Sequence, residues 1–327
     1  MRVVILDEAT LNIKELLMYA IGPRGEVIIY PKINESKDSE GYIDEIVEKI
    51  GDSKIILCNK AVISKEVMDR CENLEYIGVL ATGYDNVDVE YAAKKGIVVT
   101  NVPSYSAPSV AQATIALLLE LTNQVGLHSK SVYDGEWCES KNFCYFKSPI
   151  IELAGKTMGI IGYGSIGSAT GKVAQALGMK VLAYKRNIDR SLETDTLKFV
   201  DDLDYLLENS DVISLHCPAT EETTNIINKE TLEKMKNTAY LINTSRGKLV
   251  VEEDLKEALN NDKIAGAALD VICVEPMEKN NPLLSAKNCI ITPHIAWGSE
   301  EAKNRLSTIA ANNVKSFIDG DIVNKVN

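Results

Sequence analysis

The chain of 327 residues is longer than one hydrophobic core usually supports, so its length predicts two domains. Its composition, 45% hydrophobic and 25% charged, is that of an ordinary globular protein, and a net charge of −12 disfavours nucleic acid or an anionic membrane as a partner. Seven cysteines without a C-x-x-C pair, together with only three histidines, predict no metal site. The sequence shows neither a signal-peptide pattern nor an apolar run of membrane-spanning length, and we therefore expect a cytoplasmic location.

The first hundred residues alternate short apolar runs with amphipathic segments such as residues 43–50 and 65–71. Apolar runs of this length predict strands of a parallel sheet that is buried on both faces. The predicted strands are residues 3–6, 27–30, 55–58, 76–80 and 97–100. A small α/β domain is therefore expected before the middle of the chain.

A long apolar segment follows this domain. Residues 109–125 are almost all apolar or small, which predicts a buried helix, either between domains or between subunits of a homodimer. Residues 134–149 are irregular and rich in aromatic side chains, including Trp137 and Phe143. They could form a loop packed on the domain surface, or else a wall of the substrate cleft or a dimer arm, and the sequence leaves these alternatives open.

A glycine-rich turn between two predicted strands marks a candidate cofactor site. Apolar residues 158–161 predict a buried strand, residues 162–167 read Gly-Tyr-Gly-Ser-Ile-Gly, and a helical pattern leads to a second strand at 181–184. Within about thirty residues this matches the βαβ unit that binds dinucleotides. The first glycine permits the tight turn, the second lets backbone approach the pyrophosphate, and the third lets the helix pack closely on the sheet. The residues expected to hold the pyrophosphate are Gly162, Gly164, Ser165, Ile166 and Gly167.

The end of the second strand of this unit bears on the choice of cofactor. A site that prefers NAD usually carries an acidic residue here, which binds the ribose hydroxyls. This chain instead reads Tyr184-Lys185-Arg186-Asn187. Lys185 and Arg186 would favour the 2′-phosphate of NADP(H). The alternative is that both cations are solvated on a loop and that Asn187 binds the ribose of NAD(H).

Three later predicted strands, at residues 239–243, 266–271 and 289–292, each end in polar or charged residues. In open α/β sheets, ligands bind at the carboxyl ends of the strands. The side chains of chemical interest beyond these ends are Arg246, Glu275 and His294.

Each of these three residues, taken alone, has a structural explanation. Arg246 could pair with a helix acid such as Glu252 or Glu253, Glu275 could be a solvated loop residue, and His294 could simply be hydrogen-bonded. Together they supply what hydride transfer to a 2-keto acid requires. A guanidinium binds the carboxylate and polarises the ketone, an imidazole transfers the proton, and a carboxylate orients the imidazole and favours its charged form. The set therefore predicts an oxidoreductase.

The chain resembles the D-isomer-specific 2-hydroxyacid dehydrogenase family over nearly its whole length. The matching motifs are residues 162–167, 243–247, 268–271 with 275–276, and 292–297. Residues 81–87, 100–103 and 137–146 are most similar to the glycerate dehydrogenase (hydroxypyruvate/glyoxylate reductase) group. The resemblance implies an α/β fold of two doubly wound parallel-sheet domains. A Rossmann cofactor domain, residues 102–295, is inserted in a flavodoxin-like substrate-binding domain, residues 1–101 and 296–327.

The resemblance also implies roles for individual residues and a homodimeric assembly. The catalytic residues would be Arg246, Glu275 and His294, and the substrate-binding residues Thr82, Gly83, Arg246 and Trp297. Further cofactor contacts would come from His216, Cys217, Pro218, Thr244 and Asp270. Of these, residues 216–218 would flank the adenosine, and Asp270 would meet the nicotinamide amide. The backbone amides of Thr82 and Gly83 would bind the substrate carboxylate.

Several related activities remain as alternatives. A reductase of a bulkier 2-keto acid, aromatic or branched, would use the same motifs, because Tyr105, Phe143, Phe146 and Trp297 could line a pocket of either size. Phosphoglycerate dehydrogenase shares the motifs as well. Formate dehydrogenase orients its histidine with an amide side chain, whereas this chain has Glu275. An alternative of another class is a non-enzymatic regulator that senses NAD(P).

Overall fold

The computed structural model of the protein describes residues 1–8, 11–23, 25–37 and 39–327. These residues divide into two compact units, unit 1 with residues 1–106 and 298–327, and unit 2 with residues 107–297. Each unit contains a parallel sheet accompanied by helices, which confirms the predicted α/β fold of two doubly wound sheets. The assignment of substrate binding to residues 1–101 and 296–327 and of dinucleotide binding to residues 102–295 stays a prediction.

Unit 1 is built on a five-stranded parallel sheet of order β2-β1-β3-β4-β5, the flavodoxin-like order. Its inner strands β1, β3 and β4 are short apolar runs buried on both faces, and Val4, Ile56 and Ile77 have no exposed surface. The elements of its first segment are β1 (Arg2–Ile5), α1 (Lys14–Ile21), β2 (Glu26–Ile29), α2 (Gly41–Ile50), β3 (Ile55–Cys58), α3 (Lys65–Arg70), β4 (Tyr76–Val79), α4 (Val89–Lys95) and β5 (Val98–Thr100).

Unit 2 is built on a seven-stranded parallel sheet of order β12-β11-β10-β9-β6-β7-β8. Its elements are α5 (Ala107–Asn123), α6 (Val125–Tyr133), α7 (Glu136–Glu139), β6 (Thr157–Ile161), α8 (Ser165–Ala176), β7 (Lys180–Tyr184), β8 (Leu197–Val200), α9 (Leu203–Asn209), β9 (Val212–Leu215), α10 (Lys229–Lys234), β10 (Tyr240–Asn243), α11 (Glu252–Asn260), β11 (Gly266–Leu269) and β12 (Cys289–Ile291). Because β6 lies between β7 and β9, the strand order reverses at its carboxyl end. Open α/β sheets bind dinucleotides at such a switch point.

Two features of unit 2 were not predicted from the sequence. Strand β8, at the edge of the sheet, is only four residues long and is interrupted by Lys198, so it lacks a continuous apolar run. The aromatic segment predicted as irregular contains the short helix α7, and α6 precedes it. Exposed aromatic side chains in this region are Tyr133 at the end of α6, and Phe143 and Phe146 in the segment itself.

The last helix, α12 (Glu300–Asp319), belongs to unit 1. It packs on β4, where the rings of Tyr76 and Phe317 lie 4.8 Å apart, and Asn313 donates a hydrogen bond of 2.8 Å to the carbonyl of Asn101. In the described part of the chain, no helix is both long and apolar enough to cross a membrane.

Candidate active site

The turn between β6 and α8 has space for only glycine at two positions. Gly162 has a φ of +94°, and a Cβ there would lie 2.5 Å from the backbone nitrogen of Cys217. A Cβ on Gly167 would lie 2.2 Å from the carbonyl oxygen of Gly162. These glycines are therefore required by the fold, because they let the turn and α8 pack directly on neighbouring backbone.

Gly164 differs from the other two glycines of the turn. A Cβ there would meet no protein atom within 4 Å, and its φ of −90° is open to any residue. It precedes α8, whose N-cap makes no side-chain hydrogen bond and whose first turn contains no acidic residue. The amides of Ser165 and Ile166 begin this helix, and uncapped helix amides attract phosphate. The open space at Gly164 and this helix terminus fit a dinucleotide pyrophosphate.

This difference separates structural from ligand-binding roles of the glycines. We expect Gly164→Ala to keep the thermal stability of the wild type but to weaken NAD(P)H binding by about tenfold or more, because the methyl group occupies the pyrophosphate position. Gly162→Ala should instead lower the melting temperature, because its methyl group would clash with the backbone of Cys217 and because alanine disfavours a positive φ. Thermal unfolding and calorimetric titration of both variants test this. Unchanged cofactor binding by Gly164→Ala would contradict the assignment.

The loop after β9 lies against this turn. The backbone of His216 and Cys217 is the nearest neighbour of Gly162, and Ser245 donates a hydrogen bond of 2.6 Å to the carbonyl of Cys217. Burial lowers the pKa of His216 to about 3 and raises that of Cys217 to about 11, so both side chains are neutral at physiological pH. Residues 216 and 217 thus form an uncharged wall beside the glycine turn, and exposed Pro218 follows them.

The loops after β10, β11 and β12 are joined to one another at the carboxyl edge of the sheet. The amide of Asp270 donates to the carbonyl of Asn243 at 2.9 Å, and the amide of His294 donates to the carbonyl of Asp270 at 2.8 Å. Adjacent parallel strands therefore bring the turn with Arg246, the buried Asp270 and the loop with His294 to one edge, as the spacing of the predicted strands indicates.

His294 and Glu275 form a directly bonded pair. Nδ1 of His294 lies 2.7 Å from Oε2 of Glu275, and the amide of Ile272 donates to Oε1 of Glu275 at 3.2 Å. The carboxylate holds Nδ1 as the donor, which leaves Nε2 as the ring atom that can exchange a proton with a ligand. The side chains are 27% and 32% exposed, so the pair is accessible to a small molecule.

The backbone of His294 is held in an unusual conformation. Its φ is +55°, a left-handed conformation that costs a non-glycine residue about 1–3 kcal/mol. The amide of His294 donates to the carbonyl of Asp270, and the carbonyl of His294 accepts a hydrogen bond of 3.0 Å from the indole of Trp297. The carboxylate of Asp270 also accepts hydrogen bonds from Thr292, Ile295 and Ala296, and these contacts stabilise the loop. Backbone strain of this kind is common at catalytic positions.

Asp270 organises the histidine loop, a role that the sequence analysis missed. Its carboxylate is 2% exposed and accepts hydrogen bonds from the hydroxyl of Thr292 at 2.5 Å and from the amides of Ile295 at 3.0 Å and Ala296 at 2.8 Å. The signal in the sequence was an acid directly after a strand of small apolar residues. Its predicted contact with the nicotinamide amide stays a prediction.

Arg246 lies on a turn packed against the segment that leads to Glu275. A Cβ on Gly247 would lie 1.9 Å from the carbonyl carbon of Ile272, so this turn tolerates only glycine. The guanidinium Nη1 donates to the carbonyl of Ser245 at 2.9 Å, and the side chain of Asn243 donates to the carbonyl of Arg246 at 2.8 Å. These contacts fix the turn on which the half-buried arginine is carried.

The acids that the sequence offered as partners of Arg246 make other contacts. Glu252 accepts hydrogen bonds from the amide of Cys273 at 2.7 Å and from Asn281 at 2.9 Å, and Glu253 pairs with Lys256 at 2.9 Å. Glu252 therefore anchors both ends of the loop that carries Glu275. This is a second role that sequence reasoning missed, because it depends on contacts between distant segments.

Other predicted site residues already make contacts of their own. The hydroxyl of Thr244 lies 2.9 Å from that of Thr114 in α5. In unit 1, Thr82 and Gly83 follow β4. The hydroxyl of Thr82 donates to the carbonyl of Val102 at 2.9 Å, and the carbonyl of Thr82 accepts a hydrogen bond of 2.7 Å from Asn101.

The two cations after β7 also have protein partners. Lys185 lies 5.8 Å from the ring centroid of Phe199, and Arg186 forms an ion pair with Glu222. Contacts of these residues with ligands stay predictions.

A dinucleotide turn and an imidazole–carboxylate pair on one Rossmann sheet are features of a nicotinamide-dependent dehydrogenase. Residues 115–296 match the model of the family described as D-isomer specific 2-hydroxyacid dehydrogenase, NAD binding domain. The chain is 48% identical to a hydroxypyruvate reductase of Blautia hydrogenotrophica over 327 residues, covering 100% of both chains.

Solved structures give the same result. D-lactate dehydrogenase from Aquifex aeolicus, complexed with NAD and lactic acid, matches with a TM-score of 0.83 and 30% identity, covering 98% of this chain and 96% of that one. An NADPH-dependent glyoxylate/hydroxypyruvate reductase from Sinorhizobium meliloti, in complex with NADP and malonate, matches with a TM-score of 0.83 and 27% identity, covering 99% and 96%. The chain belongs to the D-isomer specific 2-hydroxyacid dehydrogenase family. It is an NAD(P)-dependent oxidoreductase acting on the CH–OH group of small 2-hydroxy acids, which confirms the predicted family and class of enzyme.

Proposed function

We propose that the protein reduces hydroxypyruvate or glyoxylate to the corresponding 2-hydroxy acid, as a reductase of the D-glycerate dehydrogenase type. The observation that carries the proposal is the hydrogen bond of 2.7 Å between His294 and Glu275. It lies at the carboxyl edge of the same sheet whose strands lead into the glycine turn and the turn with Arg246. The relative from Blautia hydrogenotrophica, a hydroxypyruvate reductase matching the full chain, supports this substrate class.

In this proposal the site residues share the tasks of substrate binding and proton transfer. The guanidinium of Arg246 binds the substrate carboxylate and polarises the ketone. The nicotinamide, when bound, supplies the hydride. His294, protonated and held by Glu275, gives a proton from Nε2 to the ketone oxygen as it becomes an alcohol. Trp297 lines the site, and Asp270 contacts the nicotinamide end.

For the cofactor, we propose NADP(H) as the favoured form, with NAD(H) as the alternative. Lys185 and Arg186 follow β7 where an NAD-preferring site carries an acid, and two cations favour a 2′-phosphate. The adenosine is proposed to lie along residues 216–218. The NADP complex of the Sinorhizobium meliloti relative supports the choice, whereas the Aquifex aeolicus relative holds NAD.

For the assembly, we propose a homodimer formed by the aromatic segment of unit 2. In this segment Phe143 is 89% exposed and Phe146 is 70% exposed, and Tyr133, which ends α6 just before it, is 89% exposed. Such exposure is unusual for large aromatic side chains. No nucleic acid or membrane partner is proposed, in keeping with the net charge of −12. A cytoplasmic location stays a prediction from the sequence.

Steady-state assays with a substrate panel test the proposed activity. We expect the highest kcat/KM for hydroxypyruvate or glyoxylate, lower values for pyruvate and phenylpyruvate, and little oxidation of 3-phosphoglycerate. A higher kcat/KM for phenylpyruvate would instead favour the reductase of bulky keto acids. Cofactor binding without turnover on any 2-keto acid would favour an NAD(P) sensor.

A further inference from the structure

An ion pair connects the two loops on either side of the glycine turn. The loop after β7 carries Arg186, and the loop after β9 carries Glu222; their side chains form a salt bridge. Strands β7 and β9 are the two neighbours of β6, whose end is the glycine turn itself. The ion pair therefore joins the two loops that border the dinucleotide position, one from each side.

Glu222 lies on a compact turn whose backbone is held by neighbouring threonines. The hydroxyl of Thr223 donates to the carbonyl of Pro218 at 2.6 Å and accepts from the amide of Thr220 at 2.8 Å. The amide and hydroxyl of Thr224 donate to the carbonyl of Thr220 at 2.8 Å and 2.7 Å. This turn continues directly from residues 216–218, the proposed adenosine flank. Glu222 is thus an exposed acid on an ordered turn beside the proposed cofactor site.

The ion pair itself adds little to the stability of the fold. The side chains of Arg186 and Glu222 are 74% and 71% exposed, and ion pairs this accessible to water are weak. A ligand can therefore displace Glu222 from Arg186. The 2′-phosphate of NADP(H) carries about two negative charges, whereas the 2′-hydroxyl of NAD(H) carries none. Only the phosphate competes with Glu222 for the guanidinium and is repelled by the carboxylate.

We propose that Glu222 sets the preference between NADP(H) and NAD(H) by neutralising Arg186. The carboxylate lowers affinity for the 2′-phosphate without touching the NAD(H) complex, so the wild type uses both cofactors more evenly than its two cations alone would indicate. This inference rests on the proposed cofactor site. It adds to that site an acid from a distant part of the sequence, Glu222, whose negative charge offsets the positive charge of Arg186.

Dissociation constants for NADP⁺, NAD⁺ and adenosine 2′,5′-bisphosphate, measured by calorimetry at low and high salt, test this proposal. Glu222→Gln should bind NADP⁺ and the bisphosphate about threefold to tenfold more tightly, and NAD⁺ within about twofold of the wild type. The gain should shrink at high salt because the charges are exposed. Arg186→Gln should have the opposite effect: it should weaken the binding of NADP⁺ and leave the dissociation constant of NAD⁺ unchanged.

The matched control is Glu221→Gln, which makes the same change of charge at the exposed neighbouring acid. If Glu221→Gln tightens NADP⁺ as much as Glu222→Gln, or if neither changes it, the role of Glu222 is overturned. If the wild type binds NAD⁺ tenfold or more tightly than NADP⁺, the proposed NADP(H) preference is wrong, but the role of Glu222 is not yet decided. The difference between Glu222→Gln and the wild type would still decide the role of the acid.

Discussion

The replacement His294→Asn is expected to lower kcat for keto-acid reduction by about two to four orders of magnitude, the usual contribution of a positioned general acid. Binding of NAD(P)H should stay within about twofold of the wild type, because the glycine turn is untouched. Asparagine is the informative choice since it tolerates the left-handed φ of +55° better than other residues and cannot donate a titrating proton. Stopped-flow turnover, cofactor titration and thermal unfolding measure these effects.

The outcome that would contradict this assignment is a rate. A His294→Asn variant that keeps the wild-type kcat, with unchanged cofactor binding and thermal stability, would remove His294 as the proton donor.

The second large effect is expected from Arg246→Lys. Lysine preserves the charge but cannot make the two parallel hydrogen bonds of a guanidinium to a carboxylate. Losing the second of the two charge-assisted hydrogen bonds should lower kcat/KM by about 10- to 10²-fold for every 2-keto acid tested. The dissociation constant of the cofactor should change by less than about twofold. Initial rates over a range of substrate concentrations provide the measurement.

A matched control for this variant is Arg70→Lys, the same substitution at an arginine of unit 1 that pairs with Asp44 at 2.7 Å. It should leave kcat/KM unchanged. If Arg246→Lys lowers kcat/KM by less than about threefold, or if it weakens cofactor binding by an equal factor, Arg246 does not bind the substrate carboxylate in the way proposed.

Much of the fold could be predicted because the strands of both sheets are continuous apolar runs. Parallel strands with helices on both faces produce such runs, and β6, β9 and β10 each stand out from their surroundings. Strand β8 could not be recognised in this way, because Lys198 interrupts its three apolar residues. The turn with two obligatory glycines was equally readable, since its spacing follows from backbone packing.

The candidate site could be predicted only in part. His294 and Glu275 are 19 residues apart on loops of adjacent strands, so the strand pattern already suggested their proximity. The hydrogen bonds of Asp270 and Glu252 to the loops that carry His294 and Glu275 depend on the positions of loops, and so does the pairing of Arg186 with Glu222 across 36 residues. Local sequence patterns specify strands and turns well, but they contain no direct information on which distant side chains meet.

The most direct measurement is the reduction of hydroxypyruvate by the wild-type protein with NADPH, followed by chiral chromatography of the product. The proposed site predicts that NADPH is consumed in equal amount with the formation of D-glycerate, and that His294→Asn forms almost none. Formation of L-glycerate, or no oxidation of NADPH or NADH with any 2-keto acid, would contradict the proposed function.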